Sequence, residues 1–292
     1  MASKLVVFGG TGFLGKRICQ TAINRGWNVV SISGSGRKPQ PYPAEDGSWI
    51  EKVDWKKGDI FLPETYKDEL KDAKSVVHSI GILLENDSYK KIVGSEDGII
   101  NTVSQLFHNS GIGSSLKTEN PMSKNPSNEN STIDEQSPII DKTYARYNTE
   151  SALVAAETLI ENNKLQDVHP AFVYVSADRG FPGLPSGYIQ SKREAEYELY
   201  QLQPKLRPIF LRPGFMYDPS EEHSGNWRNK IKISLDVINA VNDKLMFNLL
   251  DGIVRPSIST VTVAKWCLDK IEDDEFHGPV MFDEMVRSEN DV

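Results

Sequence analysis

Tyr188 and Lys192 stand four residues apart in "SGYIQSKREAE", and Ser176 closes the apolar run "AFVYVS" upstream of them. On a helix a four-residue step places two side chains on one face, within reach of each other. A tyrosine near its ordinary pKa of about 10 is a poor acid or base at neutral pH, and a nearby ammonium favours its phenolate. Such a trio suits proton transfer at a carbonyl or hydroxyl. Tyr188 would be the acid–base, Lys192 its activator, and Ser176 a hydrogen-bonding group for the substrate oxygen. Taken alone, Tyr-x-x-x-Lys is also an ordinary helix surface, so the elements around it matter.

The elements begin with "KLVVFGGTGFLGKRI" near the start of the chain. Leu5, Val6, Val7 and Phe8 form a short apolar run, as expected of a strand buried on both faces of a parallel sheet. Leu14, Ile18 and Ala22 recur at the step of a helix packed on that sheet, and Gly26 stands where its C-terminus wants a left-handed residue. Between strand and helix lie Gly9, Gly12 and Gly15, with Phe13 and Leu14 in the same turn. That frame brings bare backbone to a helix N-terminus, where N–H groups and dipole attract phosphate. The plainer reading is a tight strand-to-helix turn with no ligand. Strand, glycine turn and helix together favour a dinucleotide.

An Asp or Glu at the end of the second strand would hold a free ribose 2′-hydroxyl. Here that place carries Ser33, Ser35 and Arg37. Hydroxyls followed by a cation suit a 2′-phosphate, so NADP(H) is expected; the alternative is a solvated Gly/Ser/Arg turn. Asp59, with Ile60 behind it, ends a third short strand and is placed to reach the adenine edge. Ser79 to Gly81 would run beneath the phosphates and ribose, and Lys192 could also hydrogen-bond the nicotinamide ribose.

Further apolar runs at 27–33, 75–83, 171–177 and 207–214 read as strands, and 63–72, 144–163 and 188–202 read as helices. Strands alternating with helices predict an α/β fold with a doubly wound parallel sheet. Residues 111–138 are crowded with Ser, Asn and Pro and hold no aromatic residue, the composition of a disordered surface insertion. A net charge of −8 argues against nucleic acid as principal partner. Cys19 and Cys267 lie far apart in helical patterns, which suggests reduced thiols, and the histidines are scattered without ligand spacing, so no metal is expected. No run approaches the roughly 18 apolar residues of a transmembrane helix, and no conventional leader is expected before the first strand.

"GGTGFLG", "YVSA", "SGYIQSK" and "LRPGFMYDP" together resemble the atypical and extended short-chain dehydrogenase/reductases, a superfamily with the Rossmann NAD(P)-binding fold. The resemblance runs across most of the chain. It implies that the Ser176, Tyr188, Lys192 set is catalytic and that Pro213, Gly214 and Phe215, after the sixth strand, meet the nicotinamide amide. "VRPSISTVTVAKWCLDKI" resembles the superfamily's closing segment, where a helix packs back onto the core. "VVHSIGILLEN", "SADRGFP" and "PSGYIQSKREAE" resemble more narrowly the fungal mitochondrial proteins associated with coenzyme Q biosynthesis. These group with the NADPH-binding accessory subunit of complex I. The narrower resemblance implies a matrix-side protein of the inner mitochondrial membrane working with the ubiquinone-synthesis complex.

Residues 1–292 are thus expected to form one Rossmann-like domain with a small C-terminal lobe from about 218. The segment 231–250, with Leu235, Ile238, Val241, Leu245, Phe247 and Leu249, could line a pocket for a small lipophilic substrate. It could equally dock on a partner or membrane surface, or be an ordinary core-packing lobe helix. Two functions remain open at this point. One is an NADP-dependent oxidoreductase acting on a quinone-ring precursor or another lipophilic carbonyl. The other is a non-catalytic NADP(H)-binding assembly or regulatory subunit.

Overall fold

The computed structural model describes residues 2–41, 45–83, 143–165, 169–179, 185–221 and 255–290. The expected insertion at 111–138 and the apolar segment 231–250 lie outside the described residues.

Seven strands make one sheet: β1 Lys4–Phe8, β2 Asn28–Ser33, β3 Asp54–Lys57, β4 Ala73–His78, β5 Ala171–Val175, β6 Arg207–Leu211 and β9 Gly278–Val280. Their spatial order is β3-β2-β1-β4-β5-β6-β9, and every pairing is parallel. A separate two-stranded pair joins β7 Met216–Tyr217 to β8 Ile258–Ser259. The central strands β1 and β5 are largely apolar because both faces are covered. Leu5 and Val7 enter one core beneath α1 (Phe13–Asn24), while Val6 and Phe8 enter the other beneath α2 (Ser151–Asn162) and α3 (Ser186–Gln201). α4 (Thr260–Glu272) packs on α1, and the terminal α5 (Phe282–Asn290) follows β9. The order reverses direction between β1 and β4, which opens a crevice at the carboxyl ends of those strands.

Some expected elements are corrected. Residues 63–72 form two short 3₁₀ turns, Pro63–Thr65 and Lys67–Leu70, instead of one helix. Only Tyr66 and Leu70 are buried there, too few apolar contacts to hold an α-helix of that length. The helix expected from 144 begins as a π turn, Ala145–Glu150, before α2. Strand β4 stops at His78, so Ser79 to Leu83 are loop, and β6 stops at Leu211, just before Pro213. Both cysteines are fully buried, and burial pushes both thiols up. Among the described residues no helix is long and apolar enough to cross a membrane.

Candidate functional site

The glycine turn follows β1 directly. Gly9 has φ of +83°, which favours glycine, and its N–H donates to Ile32 O at 2.9 Å. Gly12 then donates to Gly9 O at 2.8 Å and serves as the N-cap of α1. No side chain caps that helix, and no acid lies in its first turn. The helix terminus is therefore open to solvent or to an anion. A Cβ at Gly15 would lie 2.2 Å from Gly9 O, so this glycine lets helix and turn pack together. Among the described residues, a Cβ at Gly12 would meet only Gly9 O, at 3.0 Å. Leu14 is a core residue and Phe13 is half-buried; from Leu14 only the backbone can face a ligand.

At the end of β2, Ser33 Oγ accepts from Gly36 N–H at 3.1 Å, and Ser35 Oγ accepts from Arg37 N–H at 3.3 Å. Both hydroxyl protons remain available to an anion, and Arg37 is exposed. Asp59 is exposed and caps its own loop by accepting from Phe61 N–H at 3.0 Å, while Ile60 is buried. Ser79 Oγ donates to Phe8 O at 2.8 Å, tying the β4 loop to β1 beneath the glycines.

Tyr188 and Lys192 share one face of α3 as expected, but they are not coupled as expected. Lys192 is buried, donates through Nζ to Val175 O at 2.9 Å, and lies 5.9 Å from the Tyr188 ring centroid. Burial pulls its ammonium down to about 7, opposed by the Glu196 carboxylate. Burial also pushes the Tyr188 phenol up to about 12, helped by Tyr144 and opposed by Arg193. The expectation that Lys192 lowers Tyr188 toward neutrality is therefore corrected: desolvation outweighs an ammonium aimed at a backbone carbonyl. The Tyr188 hydroxyl makes no hydrogen bond among the described residues. Ser176 is buried, and its Oγ accepts from Arg193 Nη1 at 3.0 Å, leaving its proton to donate.

Several residues of the site escape the sequence reading. Asn148, on the π turn, is fully buried. Its Oδ1 accepts from Ile82 N–H at 3.0 Å, and its Nδ2 donates to Ser191 Oγ at 3.1 Å. Its backbone carbonyl accepts from the Tyr174 hydroxyl at 2.7 Å. It thereby clamps the β4 loop to α3, and a Cβ on Gly81 would come within 3.0 Å of both Asn148 Oδ1 and Lys192 Nζ. A signal exists: Asn148 interrupts the stripe Tyr144, Ala152, Ala155, Leu159 at a position that packing would otherwise fill with an apolar residue. Arg193 and Arg212 converge on Glu196, at 2.8 Å from Nη1 and 2.9 Å from Nε respectively. Arg193 also donates to Ala177 O at 2.8 Å, so it holds the turn that carries Ser176.

Pro213, Gly214 and Phe215 are brought to the same edge. Asp178 N–H donates to Pro213 O at 2.8 Å, and Ile258 N–H donates to Phe215 O at 2.9 Å. Gly214 lies against the Phe282 ring, whose nearest carbon would be 2.8 Å from an added Cβ. Just beyond, Asp218 receives both Arg17 Nε at 2.6 Å and Arg17 Nη2, together with Thr260 Oγ1 at 2.9 Å. Arg17 also donates to Glu45 Oε1 at 2.6 Å. Burial alone would raise the Asp218 carboxyl, but the Arg17 guanidinium holds it below the usual carboxylate range. This hub joins the helix of the glycine turn to the β7–β8 pair.

No family model matches the chain. Over 298 aligned residues it is 41% identical to MIOREX complex component 2 of Saccharomyces cerevisiae, spanning 99% of this chain and 100% of that protein. It is 26% identical to an uncharacterized chloroplastic protein of Arabidopsis thaliana, over 95% of this chain and 74% of that one. Among solved structures, the ligand-free aldohexose dehydrogenase of Thermoplasma acidophilum superposes with a TM-score of 0.54 at 14% identity, over 96% of this chain and 91% of its own. The UDP-glucose 4-epimerase of Thermus thermophilus, complexed with NAD, gives 0.51 at 16% identity, over 96% and 77%. At such identities the superpositions speak for the fold.

Proposed function

The chain belongs to the family of yeast MIOREX complex component 2 and has the short-chain dehydrogenase/reductase fold, and on that premise we propose that it binds NADP(H) within a mitochondrial protein assembly serving ubiquinone synthesis. The observation that carries the nucleotide reading is the α1 N-terminus, which no side chain caps and where, among the described residues, only Gly9 O lies within reach of a Gly12 Cβ. Ser33, Ser35 and Arg37 in place of a strand-end acid support the 2′-phosphate form. That the yeast relative is a component of a complex supports membership of an assembly. The mitochondrial, matrix-side address and the ubiquinone role rest on the narrower sequence resemblance.

A second reading, an oxidoreductase, is favoured by one observation: Tyr188, Lys192 and Ser176 converge at the carboxyl edge where Phe215 also arrives. The bound nucleotide would supply or take up a hydride. Tyr188, held well above neutral pH, keeps its proton and is set to give it, which fits reduction of a carbonyl on a small lipophilic substrate such as a quinone-ring precursor. The Ser176 hydroxyl would donate to the same oxygen. Lys192 would turn from Val175 O to a ribose hydroxyl.

The test replaces the wild-type copy in cells with Gly12→Val or Tyr188→Phe and measures ubiquinone and its precursors by mass spectrometry. A defect in both, with purified Tyr188→Phe slowed by roughly 10²–10⁴, supports the oxidoreductase. A defect with Gly12→Val alone supports a binding module. A normal profile with Gly12→Val overturns the nucleotide's role.

A further inference from the structure

β2 and β3 run side by side to the crevice, with Ser33 opposite Lys57 in the register and Gly58 N–H bonded to Ser33 O at 3.0 Å. The chain after β2 does not leave the sheet edge but folds back across the end of β3. Gly36 takes φ of +62°, and an added Cβ there would lie 2.7 Å from Lys57 N. Only a glycine lets the 34–37 loop touch the neighbouring strand this closely. Arg37 and Lys57 are thereby carried to the same end of the sheet, both exposed. Neighbouring cations are neutralised: Lys38 pairs with Glu51 at 2.5 Å, and Lys56 pairs with Asp54 at 3.2 Å and with Glu69. Arg37 and Lys57 have no ion-pair partner among the described residues. Asp59 is the acid nearest in sequence, and its carboxylate is turned to Phe61 N–H.

We infer that Lys57 is a second specificity-determining cation for the nucleotide's 2′-phosphate, acting beside Arg37 and the hydroxyl protons of Ser33 and Ser35. The phosphate brings close to two negative charges, more than one guanidinium balances, and three acceptor oxygens. A β3 strand-end lysine at the register of Ser33 supplies the remaining charge. This inference rests on the NADP(H) reading.

The probes are 2′,5′-ADP and 5′-AMP, titrated calorimetrically into the full chain. Lys57→Gln is expected to weaken 2′,5′-ADP roughly ten-fold and to leave 5′-AMP nearly unchanged, with Lys57→Arg close to the parent. Because Lys57 is exposed, thermal melting of each variant should match the parent. Equal losses for both probes, or no loss for either, overturns the role of Lys57. If Arg37→Gln weakens 2′,5′-ADP and Lys57→Gln does not, the role of Lys57 falls and the NADP(H) reading stands. If the parent binds neither NADPH nor 2′,5′-ADP, both fall.

Discussion

The glycine turn and the tyrosine–lysine face occupy the same carboxyl edge of one sheet, yet they stand in different states of readiness. In the turn, Gly9, Gly12 and Gly15 are already held by backbone contacts in the arrangement the proposed phosphate would meet, and no side chain caps the helix. On the α3 face, Lys192 is spent on Val175 O, Ser176 receives Arg193, and the half-buried Tyr188 has its phenol pushed up by desolvation, so it keeps its proton at neutral pH. The difference follows from what each region is made of. Backbone N–H groups are fixed as soon as the strand and helix form. Long side chains instead settle on whatever polar partner burial leaves them, and require a ligand to reposition. On the proposed reading, the binding half of the site is thus preformed, and the proton-transfer half would wait on occupancy.

Breaking the joint between the two regions should have a large effect. Asp218→Ala removes the two-oxygen partner of the buried Arg17 guanidinium while its bond to Glu45 remains, and should cost about 1.5–3 kcal/mol in denaturant unfolding. The same pair makes a pH prediction. The Asp218 carboxyl is depressed in the folded chain, so its stabilisation is present above its unfolded value of 3.8 and is lost as pH falls below it. Asp218→Ala should erase that acid-side loss. Gly15→Val drives a side chain into Gly9 O and should destabilise by about 3 kcal/mol, visible as a lowered melting temperature.

Smaller effects separate the two halves. Lys192 titrates near 7 when folded and near 10.5 when unfolded. The cost of burying its charge is therefore full below about 7 and relaxes as pH rises toward 10.5. Lys192→Met should be most favourable relative to the parent near pH 6.5, with that advantage shrinking by pH 10, in paired melts. A difference that does not vary with pH would contradict the burial of an ammonium there. Arg37→Ala should weaken NADPH by about ten-fold, a loss of about 1.5–3 kcal/mol, and leave NADH nearly unchanged. Equal losses for both would remove the 2′-phosphate assignment.

The strand–turn–helix unit was legible because its signals are local. Leu5 to Phe8 alternate between two buried faces, Leu14, Ile18 and Ala22 all reach the core, and Gly26 takes the positive φ expected of it. The convergence of Ser176, Lys192 and Phe215 at one edge was also legible, since strand ends in a parallel sheet share one edge. What the sequence concealed depends on tertiary burial. Nothing local says that Lys192 will reach Val175 O, that Arg193 will take Ser176, or that Asn148 will pin Ile82 through a π turn. Residues 63–72 misled for the same reason: an apolar four-residue step is enough for two 3₁₀ turns and too little for a helix.

The central claim is that the open front of the glycine turn holds a dinucleotide, and Gly12→Val tests it most directly. Gly12 has φ of −75° and ψ of 177°, ordinary for any residue, and among the described residues a Cβ there meets only Gly9 O, at 3.0 Å, a tight contact that a small shift relieves. The substitution should leave folding intact while filling the space a pyrophosphate needs. Calorimetric titration of NADPH and NADH into parent and variant, with far-UV circular dichroism as the folding control, gives the answer. The expected result is a parent that binds NADPH more tightly than NADH, and a folded Gly12→Val protein that binds neither. A folded Gly12→Val protein binding NADPH as tightly as the parent would contradict it.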